Sequence, residues 1–242
     1  MHMFSNQTED DYMIYCQDNE TLKNMVEKNH FKGMKYTVDM KNQNATISLK
    51  NNQVYYQEIP VFDINRKIHL RGKHNLENIM VAYAVSKILK LDDQKTLKAI
   101  EEFLPIPYRL ESIGIVDGVE YYIDTLATIP EATKNAVMAI ENVNTLIFGG
   151  VDRGISYDGF AEFLTNTNIE HFICMPVTGH TIANDLPKDR IYLVETLEEA
   201  CDLAKKITKK NTSCILSPAA ASYNQFKNYE DKGDQFKKYI IK

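Results

Sequence analysis

Beyond Arg109 the chain alternates short apolar runs, VEYYI, NTLIF, HFICM, RIYLV and SCILS, with helical stretches, PEATKNAVMAI, YDGFAEFL, GHTIANDL and TLEEACDLAKKI. Few architectures accept that alternation: successive strands joined by helical crossovers form a mostly parallel sheet covered on both faces. The fold class expected is α/β. In open sheets of this kind ligands collect outside the carboxyl ends of the strands, so the loops after those runs are where chemistry belongs.

The first part of the chain reads differently. Between Asp11 and Leu70 the runs DYMIYC, MKYTVDM, ATISLK, QVYYQEI and RKIHL are strand-like, many alternating apolar with polar residues, and only ETLKNMVEKN interrupts them as a short helix. Asn51 and Asn52 suit a two-residue hairpin, because asparagine tolerates the positive φ that such turns need. Local antiparallel sheet is the expectation. From Gly72 the period becomes helical, with Leu76, Ile79, Met80, Tyr83 and Ala84 on one face of a long helix and Leu97, Ile100 and Leu104 on the next. Pro105 and Pro107 in PIPYR break that pattern, so a boundary is placed there, dividing residues 1–106 from 107–242.

Composition excludes several function classes. Lys plus Arg total 28 against 33 Asp plus Glu, a net charge of −5, so the chain offers no basic field to a nucleic acid. The longest apolar runs fall far short of the roughly 18 residues a membrane span needs. The start, MHMFSNQTEDDYM, lacks a basic segment followed by an apolar one, so the expectation is a cytoplasmic protein with neither nucleic acid nor membrane as partner. Cys16, Cys174, Cys201 and Cys214 are far apart and form no C-x-x-C pair, so they read as buried thiols; no metal site is expected, and His74, His171 and His180 read as surface or satisfied core residues. Neither G-x-x-x-x-G-K-[ST] nor G-x-G-x-x-G occurs, which leaves a dinucleotide-binding reading without its fingerprint.

The candidate loops each carry two readings. Asn75 and Asn78, three apart at a helix start, project on one side toward a ligand, or Asn75 simply caps the helix. Asp124 directly follows a strand, where a carboxylate accepts from ribose hydroxyls, or it is a turn aspartate. Thr128 and Glu131 form T-x-x-E with Pro130 in the first turn, a capping box that leaves the Thr128 hydroxyl open to a ligand. Gly149 and Gly150 allow close approach to the backbone, and Arg153 offers a planar fork to a carboxylate or phosphate, or a solvated side chain beyond a tight turn. Ser222 follows a run of small residues, either as a helix N-cap or as a hydroxyl suited to an anion.

Taken together, HNLEN, IPYRLE, DTLATIPEAT, GGVDRG and LSPAAASYNQFKNYEDKGDQF resemble the Mur ligases of peptidoglycan synthesis, in order from about Met3 to the C-terminus, with the last motif most similar to the branch that adds glutamate. The resemblance implies a C-terminal Rossmann-like domain over residues 107–242, preceded by the β-rich and helical tail of a truncated central ATPase domain over 1–106. It places the phosphate-binding loop, a metal-binding histidine and a carbamylated lysine upstream of Met1. The activity it implies is ATP-dependent amide formation between UDP-N-acetylmuramoyl-L-alanine and D-glutamate through an acyl phosphate, with ATP and Mg²⁺ bound mainly by the upstream part. Carried over by motif, Asn75, Asn78, Arg109 and Asp124 correspond to ATP contacts, and Thr128, Arg153, Ser222 and Tyr229 to positions around the incoming amino acid. No catalytic residue is assigned within the chain. Two departures stand out: DTLATI replaces the usual D-S-K-A-T-N, so Leu126 stands where a lysine is common, and Arg153 stands where the glycine loop usually has lysine. A ligase of different amino-acid specificity, or a binding module that kept the fold and lost catalysis, are the alternatives.

Overall fold

The computed structural model describes residues 6–70, 72–223 and 225–242 and divides into two compact units, Met1–Leu104 and Pro105–Lys242. Met3, where the family resemblance begins, and Asn224 within its last motif lie outside the described residues.

In the first unit five strands, β1 (Tyr12–Cys16), β2 (Met34–Asp39), β3 (Ile47–Lys50), β4 (Gln53–Tyr56) and β5 (Ile59–Asp63), lie side by side in chain order. Helix α1 (Glu20–Lys28), capped by the Asn19 side chain accepting from the Leu22 amide, links β1 to β2. The expectation of antiparallel sheet is corrected here: β1–β2 and β2–β3 pair parallel, and only β3–β4 and β4–β5 are antiparallel. Helix α1 makes the β1–β2 crossover, β2 and β3 pair over only Val38–Ile47 and Asp39–Ser48 without a helix between them, and strand periodicity reads the same in both directions. Asn51 and Asn52 do form the β3–β4 turn, with φ of 49° and 63°. QVYYQEI, expected as one strand, is cut by a second such turn at Gln57 and Glu58, both at positive φ without asparagine or glycine to signal it. RKIHL forms no strand. Helices α2 (Lys73–Ile88) and α3 (Asp93–Glu102) follow, and the α2 face of Ile79, Met80, Tyr83 and Ala84 packs on Val38, Ile47 and Val54 of the sheet. The Tyr83 hydroxyl and the Lys87 ammonium both donate to the Asp93 carboxylate, fastening α2 to α3.

The second unit contains β6 (Glu111–Val116), β7 (Val119–Ile123), α4 (Pro130–Ala139), β8 (Val143–Phe148), α5 (Phe160–Thr165), β9 (His171–Cys174), α6 (Thr178–Ile182), β10 (Ile191–Leu193), α7 (Leu197–Ile207), β11 (Ser213–Leu216) and α8 (Tyr229–Ile241). The strands run in the order β10-β9-β8-β11-β7-β6, parallel except for β6, which pairs antiparallel with β7. Strand β6 was not expected, although Asp117-Gly118 between two runs is a hairpin signal, and both residues take the positive φ of that turn.

The parallel strands β7, β8, β9 and β11 are buried on both faces, as their uninterrupted apolar runs require, whereas β10 at the edge is only partly covered and exposes Leu193. Tyr122, Leu146, Phe148, Phe172 and Ile215 point into a core shared with α4 and α5, while Tyr121, Ile123, Ile147, Ile173 and Leu216 point into the core beneath α7 and α8. From β8 the chain winds outward through β9 to β10, then returns to insert β11 between β8 and β7. That reversal opens the crevice at the carboxyl ends of β7, β8 and β11 where ligands of such sheets bind.

Candidate functional site

Three loops leave the sheet at this crevice, and hydrogen bonds join them. After β7 comes Asp124–Ile129, after β8 Gly149–Gly154, and after β11 Ser217–Ser222. The Gly149 amide donates to the Pro218 carbonyl at 2.9 Å and the Val151 amide to the Ala221 carbonyl at 2.9 Å. A Cβ on Gly149 would lie 2.2 Å from the Met175 carbonyl oxygen, and one on Gly150 2.3 Å from that of Ala221. Only glycine fits this threading, which explains the Gly-Gly pair as close backbone approach.

Arg153 lies at the tip of the second loop and is exposed; its Nη2 donates to the Thr128 carbonyl at 3.1 Å, so two of the residues assigned to the amino acid meet directly. The capping box expected at Thr128 and Glu131 is not formed. Pro130 begins α4, making Ile129 the N-cap, so Thr128 sits one residue too early and no side chain caps the helix. Ser222 is likewise not a helix cap: α8 begins at Tyr229 behind Asn228, whose side chain accepts from the Asp231 amide. The Ser222 hydroxyl is instead buried, and its oxygen has no hydrogen-bond partner among the described residues. A buried hydroxyl left in that condition is costly unless a ligand completes it. Tyr229, half-buried, accepts at its carbonyl from the Thr125 hydroxyl at 2.8 Å, which brings the start of α8 to the first loop.

Asp124 faces inward and is only 4% exposed. One carboxylate oxygen accepts from the Ser217 hydroxyl at 2.7 Å and the other from the Leu110 amide at 3.2 Å, while Thr133 Oγ1 lies 2.9 Å from Ser217 Oγ. Burial pushes its pKa up to about 7, against the opposing pull of Ser217, the Leu110 amide and the Arg109 charge. In this arrangement the carboxylate holds the turn that precedes β6. That turn is strained: Tyr108 and Leu110 both take positive φ, at 63° and 49°, on either side of the exposed Arg109. Tyr108 is anchored to α8. Its hydroxyl donates to Asp234 at 2.9 Å, its ring stands edge-on to Tyr229, and it lies where a side chain on Gly233 would be, with Cδ1 2.4 Å from an ideal Cβ. The hydrogen bond to Asp234 pushes the Tyr108 pKa up to about 12.

In the first unit Asn75 and Asn78 share one side of α2, the Asn78 amide 3.4 Å from Asn75 Oδ1. Gly72 is the N-cap, at φ 89°, so Asn75 occupies the third helical position and is not the cap. The two amides offer donors and acceptors of the kind that suit a nucleotide base. Among the described residues no group of three His, Cys, Asp or Glu side chains comes together that could hold a metal ion. Cys174, Cys201 and Cys214 are buried thiols, whereas Cys16 is only half-buried; all four are free. His180 is satisfied by the Val194 carbonyl at 3.0 Å, while buried His171 Nδ1 has no partner among the described residues. No helix of the described residues is long and apolar enough to cross a membrane.

Sequence reasoning missed Ser217, Thr133, Tyr108 and Lys232. Lys232 was legible in one respect: four residues before Phe236, it falls on the apolar stripe of α8.

The model of the Mur ligase middle domain matches residues 1–86. A UDP-N-acetylmuramoylalanine--D-glutamate ligase of Christiangramia forsetii is 33% identical over 240 residues, covering 97% of this chain and 54% of the relative. The chain spans about half the length of the curated relatives it matches. Among solved structures, the UDP-N-acetylmuramate-alanine ligase of Thermotoga maritima superposes with a TM-score of 0.67 at 20% identity, over 96% of this chain and 52% of that one. A MurF ligase of the same organism in complex with ADP gives 0.68 at 14% identity, over 100% and 56%. Those two likenesses establish the shared fold, and in sequence the chain is similar to Mur ligases along nearly its whole length.

Proposed function

We propose that this chain supplies the amino-acid side and part of the nucleotide side of an ATP-dependent ligase of peptidoglycan synthesis, in the cytoplasm, which joins D-glutamate to UDP-N-acetylmuramoyl-L-alanine. The observation that carries the reading is the meeting of the strand-end loops, where Arg153 donates to the Thr128 carbonyl and the buried Ser222 hydroxyl has no hydrogen-bond partner among the described residues. The name of the relative from Christiangramia forsetii supports the choice of substrates. Residues 1–106 correspond in this reading to the central domain and 107–242 to the C-terminal domain.

Chemically, the alanyl carboxylate takes the γ-phosphoryl group of ATP; the glutamate nitrogen then attacks the acyl carbon, loses a proton, and inorganic phosphate departs. The work left to this chain is positioning and charge. Arg153 pairs with a carboxylate of the incoming amino acid, the Ser222 hydroxyl donates to it, and Thr128 and Tyr229 line the approach. Asn75 and Asn78 hold the base. Arg109 reaches the phosphates from a turn that Asp124 holds in place, so Asp124 acts on the nucleotide through that turn. Mg²⁺ would neutralise phosphate charge on the nucleotide.

The test is titration of the 242-residue chain with D-glutamate, followed by NMR. Saturable binding is expected, and Arg153→Ala should weaken it about tenfold or more, because a charge-assisted hydrogen bond contributes roughly 1.5–3 kcal/mol. Equal affinities in the two proteins would remove Arg153 from the site. Lacking a phosphate-binding loop motif, the chain by itself should release no phosphate from ATP.

A further inference from the structure

Among the described residues of the second unit Lys232 is the one fully buried lysine, and it has no part in the chemistry proposed for the site. It sits in the first turn of α8, three residues after Tyr229. Its ammonium donates to the Gly149 carbonyl at 3.0 Å and lies 5.3 Å from the centre of the Phe226 ring. That carbonyl belongs to the turn that must pass between Met175 and Ala221 with no room for a side chain, and four residues further on the same turn ends in Arg153.

The bonds close into a ring. Lys232 on α8 holds Gly149; the turn from Gly149 leads to Arg153; Arg153 donates to the Thr128 carbonyl; and Thr125 in that loop donates back to Tyr229 on α8. Around this ring the start of one helix and two strand-end loops fix one another, and Lys232 is the only member that reaches the glycine turn from α8. A methylene stem with an apolar end would fill the same space without holding the carbonyl. Desolvation holds the amine down to about 7, a sign of how unfavourable its burial is.

We propose that Lys232 is a positioning residue, which fixes the Gly149 carbonyl and thereby sets where the turn carrying Arg153 lies against Thr128. It rests on the reading of these loops as the amino-acid site, and it adds to that reading a buried group outside the ligand's reach. Lys232 touches no substrate and acts through Arg153.

The experiment uses the 242-residue chain and the variants Lys232→Met, which keeps the stem and removes the donor, and Lys232→Arg, which keeps a charged donor. Amide hydrogen exchange gives the first readout. In Lys232→Met the Gly150 and Val151 amides, bonded to Thr178 Oγ1 and the Ala221 carbonyl, should lose at least tenfold in protection, while Ser217, bonded to Ile147, keeps its own. Lys232→Arg should restore them. Unchanged protection in Lys232→Met, or an equal loss at Ser217 and throughout the sheet, overturns the proposal, the second because it marks plain destabilisation. D-glutamate titration is the second readout: Lys232→Met should bind about tenfold more weakly than the parent and Lys232→Arg should recover. Equal affinity for parent and Lys232→Met overturns the proposal. If the parent itself shows no saturable binding while the exchange pattern changes as described, the functional reading falls and the positioning role stands.

Discussion

Replacing Asp124 by asparagine removes a carboxylate that the fold buries without an ion pair. Its pKa is pushed from an ordinary 3.8 to about 7, chiefly by desolvation. A folded-state pKa above the unfolded one means that the native protein binds the proton more readily, so this group contributes stability at low pH that is lost as pH rises from about 4 to about 7. About three pKa units at 1.36 kcal/mol each make that loss roughly 4 kcal/mol. Asparagine has the same shape. Its carbonyl oxygen can accept from the Leu110 amide, and its NH₂ can donate to Ser217 Oγ, whose proton then turns toward Thr133 Oγ1. The variant should therefore be the more stable protein above pH 7, by a few kcal/mol, and near parity below pH 4. Urea denaturation followed at the amide signals of Ile215 and Leu216 reports the second unit separately, which matters because two units need not unfold together. The difference between parent and variant, taken across pH 4 to 8, isolates this group from the other carboxylates. Two stability curves running parallel through that interval would refute the reasoning.

Lys232 has the opposite sign. Its folded pKa of about 7 lies below the ordinary 10.5, so burial costs stability below about pH 7 and the cost fades as pH rises toward 10.5. Lys232→Met should be at least as stable as the parent at neutral pH and should lose the rise between pH 7 and 10; a rise of the same size in both proteins, measured by the same denaturation, counts against it. Gly233→Ala tests the Tyr108 anchor. Alanine in a helix interior is ordinarily worth about 1 kcal/mol over glycine, but here its Cβ would lie 2.4 Å from the Tyr108 ring, and overpacking typically costs about 1–3 kcal/mol. The clash should win, lowering the melting temperature, and a more stable variant would mean that the ring is not held there. Leu126→Lys adds a cation to a loop cluster in which Arg153 is otherwise alone, and should tighten D-glutamate binding severalfold in the same titration used for Arg153. Unchanged affinity would place Leu126 away from the carboxylates.

Much of the second unit was legible because its strands are buried on both faces, and an uninterrupted apolar run such as NTLIF has few other uses. Strand β6 escaped notice because ESIGIV alternates only weakly and carries Gly114 at a register irregularity. In the first unit, alternation located most strands yet said nothing of their direction, and it could not show that QVYYQEI bends at Gln57, since neither Gln57 nor Glu58 is a residue that favours positive φ. Among the candidate residues, motif and spacing drew attention to Thr128, Arg153 and Ser222 but suggested helix caps for two of them. The caps failed because Pro130 and Asn228 set the helix starts elsewhere.

Local sequence by itself determined most of the strands and helices, where glycine was needed, and in what order candidate loops leave the sheet, since those depend on side-chain periodicity and on allowed φ and ψ. Whether a polar group faces solvent, a partner or a closed interior depends on elements far apart in the chain. Only the packed structure decided that Asp124 would turn inward to Ser217, that the buried Ser222 hydroxyl would find no partner among the described residues, and that a lysine on the apolar stripe of α8 would end against a carbonyl 83 residues away.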